Sequence, residues 1–286
     1  MAKIVGGFWV PHDPVMFVAP DAPADKDVAA RMWQAYETCG QKMAELDATA
    51  AIIVGNDHYI LFGTNCLPRY LIGTGDVDGP IENLKGLERG VIKNHEALAQ
   101  HIVKQGDKEN FDWSVARSFT VDHAFSIPHQ YVVEVAEKAL NRKIPTIPVY
   151  IASGVDPFIS LNRSRELGEH ILRAVESFPE DERVVIIGSG GISHWVGTVE
   201  MGKVAEDFDQ EILDLGVKGD LEGLSRYSNE EILERGGNGA MEIRNLLCAL
   251  AAVPNRKGEV IDYAPVPEWV TGLGFLQIHA DQVGGE

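Results

Sequence analysis

The sequence predicts an α/β fold: one domain over residues 1–286, layered, with a largely parallel central sheet flanked by helices. Three observations carry this. Short β-rich runs alternate along the chain with amphipathic stretches of helical period. Runs such as TAAIIVG (49–55) and RVVIIG (183–188) are almost continuously apolar, as strands covered on both faces are. No internal repeat, low-complexity segment or Pro/Gly/Ser-rich linker divides the 286 residues.

Each element follows from its local pattern. KIVGGFWV (3–10) reads as a strand, and residues 26–46 as a helix with Val28, Met32, Tyr36, Met43 and Leu46 roughly on one face. TAAIIVG is the next strand, RYLIG (69–73) another, residues 88–105 a helix and 113–117 a strand. A helix over 128–140 takes Pro128 in its first turn, where a missing N–H costs nothing, and leads to the strand IPTIPVYI (144–151). A helix over 160–177 precedes RVVIIG. From 202 to 253 the pattern is helical, interrupted near 218–220 and 235–239, and GLGFLQI (272–278) is the last strand. The segments 74–87 and 254–271 are long enough to be functional loops.

A net charge of −18 repels polyanions, which argues against nucleic acid and anionic membrane as partners. A small anionic substrate would need cationic groups at its own site. The chain has no apolar run of bilayer length, and its N-terminus does not read as a signal peptide. Cys39, Cys66 and Cys248 are odd in number, widely spaced and without a CxxC, which fits a reducing cytoplasm better than a disulfide framework.

Three histidines follow strands: His12 in WVPHDP, His58 in IIVGNDHY and His194 in VIIGSGGISHW. Ligands of open α/β sheets bind outside the carboxyl ends of the strands, so three such histidines can converge on one crevice. A fourth candidate lies in RGGNGAMEIRNLLCALAAV (235–253), a helix apolar on every side from Leu246 onward. Its polar residues Glu242, Arg244 and Asn245 sit in the first turns, and Gly236, Gly237 and Gly239 leave the helix mouth open. Arg244 and Asn245 are candidates for contacting substrate. Two histidines and a carboxylate, with the other positions open, form the facial triad of non-haem Fe(II) oxygenases. Zinc accepts the same set, and sequence spacing does not separate the metals. GSGG fails the dinucleotide fingerprint because position 193 is serine, and neither a P-loop nor a GxSxG elbow occurs. The glycines of GSGGISHW are therefore expected to clear room beside His194 for a flat, bulky ligand. In TVDHAFSIPHQY (120–131), His123 is a candidate to face substrate and His129 a packing residue.

Taken together, PHDP, NDHYILFGTNCLPRYLIG, DHAFSIP, GSGGISHW and GGNGAMEIRNLLCALAA resemble the class III extradiol ring-cleavage dioxygenases, typified by the β subunit of protocatechuate 4,5-dioxygenase. Their order covers most of the chain. The resemblance implies that His12, His58 and Glu242 hold Fe(II), that His194 is the catalytic acid/base, and that His123 is a second catalytic histidine near the substrate. It implies a protocatechuate- or gallate-like, or lignin-derived, catechol, cleaved with O2 to a muconic semialdehyde-type product. It also implies a homodimer, with or without a small separate α subunit. No cationic residue stands out in the sequence as a carboxylate clamp, and a non-carboxylated catechol is equally compatible. A zinc-dependent hydrolase and a non-catalytic binding homologue on the same scaffold are the alternatives.

Overall fold

The structure, a computed structural model, describes residues 1–63 and 65–281. Its strands are β1 (Lys3–Val10), β2 (Ala50–Gly55), β3 (Tyr70–Gly73), β4 (Val77–Gly79), β5 (Gly90–Ile92), β6 (Ser114–Ala116), β7 (Thr146–Ile151), β8 (Arg183–Ser189), β9 (Lys257–Val266) and β10 (Thr271–His279). Eight of them form one sheet in the order β6-β3-β7-β2-β8-β1-β10-β9, while β4 and β5 pair separately. The central run β7-β2-β8-β1 is parallel throughout, and β3 on β7 and the β10–β9 edge are antiparallel.

The alternation of side chains divides the core between the two faces. Ile52, Val54, Val184 and Ile186 point to one face, against the helices Leu161–Glu176 and Ile243–Ala252. Ile53, Val185, Ile187, Phe8 and Val10 point to the other, against Lys26–Glu45 and the helical stretch from His123 to Leu140. Lys26–Glu45 is capped by Asp25, whose carboxylate accepts the amides of Asp27 and Val28, and it buries Met32, Tyr36, Cys39 and Met43 at helical spacing.

The helical tract 202–253 breaks where the sequence indicates. Gly219 ends the helix Glu206–Lys218 at φ +68°, and Gly237 follows Asn229–Gly236 at φ +89°. Three expectations change. Residues 88–105 are not one helix: Gly90–Ile92 pair with Val77–Gly79, and the helix is Glu96–Glu109, capped by the His95 ring. Most of 254–271 is the edge strand β9 rather than a loop, with Pro265 and several charged residues that suit an edge.

The third change is at 128–140. The helix begins at His123, capped by Asp122, and runs through Pro128 into a π-helical turn at His129–Val133. Pro128 has no N–H for the carbonyl of Ala124, four residues back, so that carbonyl is left free inside the protein. Its partner turns out to belong to the site.

Candidate metal centre

In the sheet β2, β8 and β1 are neighbours and run parallel, so their carboxyl ends open on one edge. His12 and His58 follow β1 and β2, and His194 follows β8. Glu242 ends the 3-10 turn Gly239–Glu242 and enters the same space from the helix packed across β8. It is 2% exposed. Its Oε1 lies 3.0 Å from His12 Nε2 and 3.3 Å from His58 Nε2. Oε1 also accepts the Asn56 amide at 3.1 Å, and Oε2 accepts the Gly191 backbone N–H at 2.8 Å. Burial alone would push this carboxyl up. The charges and hydrogen bonds of His12, His58 and His194 outweigh burial and hold it well below the usual range.

The far nitrogens of both imidazoles are spoken for. His58 Nδ1 lies 2.9 Å from Asp122 Oδ2, and Asp122 Oδ1 caps the helix at the Ala124 amide. Burial depresses His58, but Asp122 and Glu242 together raise it to about 10. His12 Nδ1 lies 2.9 Å from Ser189 Oγ, and Ser189 Oγ lies 2.6 Å from the Ala124 carbonyl. The single hydroxyl hydrogen goes to that carbonyl, which Pro128 has left free, so Ser189 accepts from His12 Nδ1–H. In both rings Nε2 is the nitrogen turned to Glu242, and a metal binding there would replace any proton it shares with the carboxylate. Two imidazoles and a carboxylate, each held from behind, fit a divalent metal.

His123 faces the same point. Its ring stacks on His58 with centroids 4.3 Å apart, and its Nδ1 lies 2.5 Å from Glu82 Oε1. Nitrogens of His12, His58 and His123 fall within 4.8 Å of one another, and so do ligand atoms of Glu82, Asp122 and His123. Burial and the neighbouring His58 hold His123 below its ordinary value. His194 Nε2 is 3.8 Å from Glu242 Oε2, and its buried Nδ1 has no protein partner. Burial holds His194 below its ordinary value, against the pull of Glu242.

The glycines answer to the protein before they answer to a ligand. A Cβ at Gly191 would lie 2.9 Å from the His194 ring, and one at Gly239 would overlap that ring outright. Their small size seats His194 itself. Beyond it opens a cavity of about 260 Å³ lined by His12, His58, His123, His194 and Glu242 on one side.

Arg244 and Asn245 do not line this cavity. Arg244 is fully buried, and its guanidinium donates to the carbonyls of Ile159 and Met241 and to Asn229 Oδ1. Asn245 donates to Asn56 Oδ1 and the Ser189 carbonyl and accepts from Ser153. One fastens the helix, and the other fastens the residues behind the site. Sequence reasoning missed Asn56, Asp122, Ser189, Glu82 and Asp13. The first three had a signal, being polar residues directly after a buried strand, within one, or before a helix. Glu82 had none. Asp13 lies beside His12 in the cavity wall, where burial pushes its carboxyl up to about 8.

The comparisons with known proteins give the family. Residues 6–274 match the family described as the catalytic LigB subunit of aromatic ring-opening dioxygenase. The chain belongs to that family of class III extradiol enzymes and is an aromatic ring-opening dioxygenase. It is 25% identical to 2,3-dihydroxyphenylpropionate/2,3-dihydroxicinnamic acid 1,2-dioxygenase of Escherichia coli strain K12, over 84% of this chain and 88% of that one. The same figures hold for the enzyme of that name from Escherichia coli O139:H28. Among solved structures, an uncharacterized protein of Escherichia coli K12, JW3007, shares the fold with a TM-score of 0.57 and 14% identity, over 96% of this chain and 99% of that one. Among the described residues, no helix is long and apolar enough to cross a membrane.

Proposed function

We propose that His12, His58 and Glu242 hold Fe(II), and that the enzyme opens a catechol ring beside its two hydroxyls, using O2, to give a muconic semialdehyde-type product. The observation that carries this reading is the single oxygen, Glu242 Oε1, within 3.3 Å of an Nε2 from each of two imidazoles that follow the parallel strands β1 and β2, on either side of β8. Fe(II) would supply a seat for the adjacent hydroxyls and for O2, and the electrons that let them react.

The remaining work belongs to side chains. His194 is the acid/base: its neutral ring accepts a proton from a substrate hydroxyl and returns it as the ring opens. Gly191 and Gly239 fix its position by leaving no free volume on that side. His123, oriented by Glu82 through Nδ1, turns Nε2 toward the cavity, where it can hydrogen-bond a substrate oxygen.

The test is anaerobic reconstitution with Fe(II) or Zn(II), followed by oxygen-electrode and absorbance assays across a catechol panel. Oxygen uptake with a yellow ring-opened product is expected for the iron form alone. Equal activity of the zinc form, or no uptake with any catechol, would overturn the assignment.

A further inference from the structure

The cavity has two unlike halves. Besides the histidines, Glu242, Asp13, Gly191 and Thr271, its lining is apolar: Pro14, Val15, Val196, Met201 and Val270. Among the described residues, no lysine or arginine lines it. Arg244 is committed to backbone carbonyls. Lys203, close to Met201 in the chain, pairs with Glu200 at 2.9 Å and lies over the Trp195 ring at 4.3 Å. The acidic groups at the cavity, Asp13 and Glu242, offer an anion no positive partner.

Two details show that the apolar wall is built rather than incidental. Val270 is a β-branched residue held at φ +59°, ψ 14°, a left-handed conformation that costs roughly 1–2 kcal/mol for a residue with a Cβ. Glycine would sit there without strain, yet the chain places an isopropyl group on the cavity. Val196 and Met201 are about half exposed, at 50% and 53%, although both face the cavity, so part of their apolar surface stays open to whatever enters.

Resting on the catechol-cleaving reading above, we propose that the substrate is a catechol carrying a small uncharged, apolar substituent, a short alkyl chain or one further ring, and not a carboxylate. The diol end meets the histidines, and the substituent lies along Val15, Val196, Met201 and Val270. An unpaired carboxylate buried on this wall would lose its hydration with nothing in return, whereas each buried methylene gains. At about 260 Å³ the cavity is slightly below the range of ~300–1,000 Å³ usual for small-molecule pockets, which limits the substituent's size. The curated relatives differ here, since 2,3-dihydroxyphenylpropionate carries a carboxylate.

Anaerobic binding to the Fe(II)-loaded enzyme tests this, read as displacement of 4-nitrocatechol by absorbance, with 4-propylcatechol against 3,4-dihydroxybenzoate and 2,3-dihydroxyphenylpropionate. The propyl compound is expected to bind roughly tenfold or more tightly than either carboxylate, since it buries apolar carbon where they would strip a charge of water. Equal or tighter binding of either carboxylate overturns the proposal. Because binding is read without oxygen, a kept preference with no oxygen uptake sinks the ring-cleavage reading and leaves this one standing. Uptake with the preference reversed does the opposite, and no binding by any catechol sinks both. Two variants sharpen the test. Met201→Lys should raise affinity for both carboxylates at least tenfold and lower it for 4-propylcatechol. Val270→Gly should melt at or above the wild-type temperature yet bind 4-propylcatechol several-fold more weakly. Full affinity in Val270→Gly would remove that wall from the substrate.

Discussion

The hydroxyl of Ser189 reaches the carbonyl of Ala124 at 2.6 Å, across the boundary between a strand end and a proline-containing helix. Pro128 frees that carbonyl, Ser189 occupies it, and His12 Nδ1–H is left with the Ser189 oxygen as its acceptor. Ser189→Ala should therefore weaken metal binding about 10–100-fold, the usual worth of a group that orients a ligating histidine. Competition with a metal chelator measures it. Unchanged affinity would show that His12 is oriented by other means.

Metal content should sort Glu242, His58 and His123. Glu242→Gln and His58→Ala are expected to lose most of the bound metal after dialysis against buffer. His123→Ala is expected to keep it, since among the described residues Glu242 pairs with His12, His58 and His194 but not with His123. Depletion in His123→Ala would instead favour the three-imidazole arrangement that its 4.8 Å neighbourhood allows.

His194→Ala is expected to retain iron and lose about 10²–10⁴ in kcat, the typical contribution of a positioned acid/base. Loss of iron together with activity would make His194 a ligand, not an acid/base.

Arg244 is a structural cation. Replacing it with methionine leaves the carbonyls of Ile159 and Met241 and the Asn229 side chain short of a buried donor, and should cost about 2–4 kcal/mol in urea unfolding. The KM ratio between carboxylated and uncharged catechols should not move. A selective rise for the carboxylated compounds would return Arg244 to the substrate.

Acid should destabilise the fold through His129. Burial draws its imidazole from 6.5 down to about 4, so the unfolded chain takes up a proton at a pH where the folded one does not. The stability this contributes is complete above 6.5 and is lost as pH falls from there toward 4. The loss is at most about 3 kcal/mol. His129→Gln should flatten the fall in urea midpoint between about pH 7 and pH 5. A variant that falls as steeply as the wild type would place the acid sensitivity elsewhere.

The layered sheet, its parallel centre and the candidates His12, His58, His123, His194 and Glu242 were legible in the chain. Continuous β-branched runs and polar residues at their ends are local signals. They depend on which strands must be buried on both faces and where those strands stop. The β9 edge strand and the true start of the helix at His123 were misplaced: β9 mixes Pro265 and charged residues into its run without clean alternation, and Pro128, read as a first-turn proline, lies inside a helix that Asp122 already caps. Arg244 was misread for a related reason: a charged residue early in a buried helix looks the same whether it faces a cavity or a set of backbone carbonyls.

What the sequence determined by itself was the inventory: a fold able to gather strand ends on one side, and the imidazoles and carboxylate that could meet there. What tertiary structure alone decided was the chemistry of each atom. Which nitrogen of His12 carries its proton depends on Ser189, 177 residues away, and on a carbonyl freed by Pro128. Where His194 points depends on two glycines from different segments. Hydrogen bonds and close packing act over a few ångströms of space, and separation along the chain does not reveal which groups will come that near.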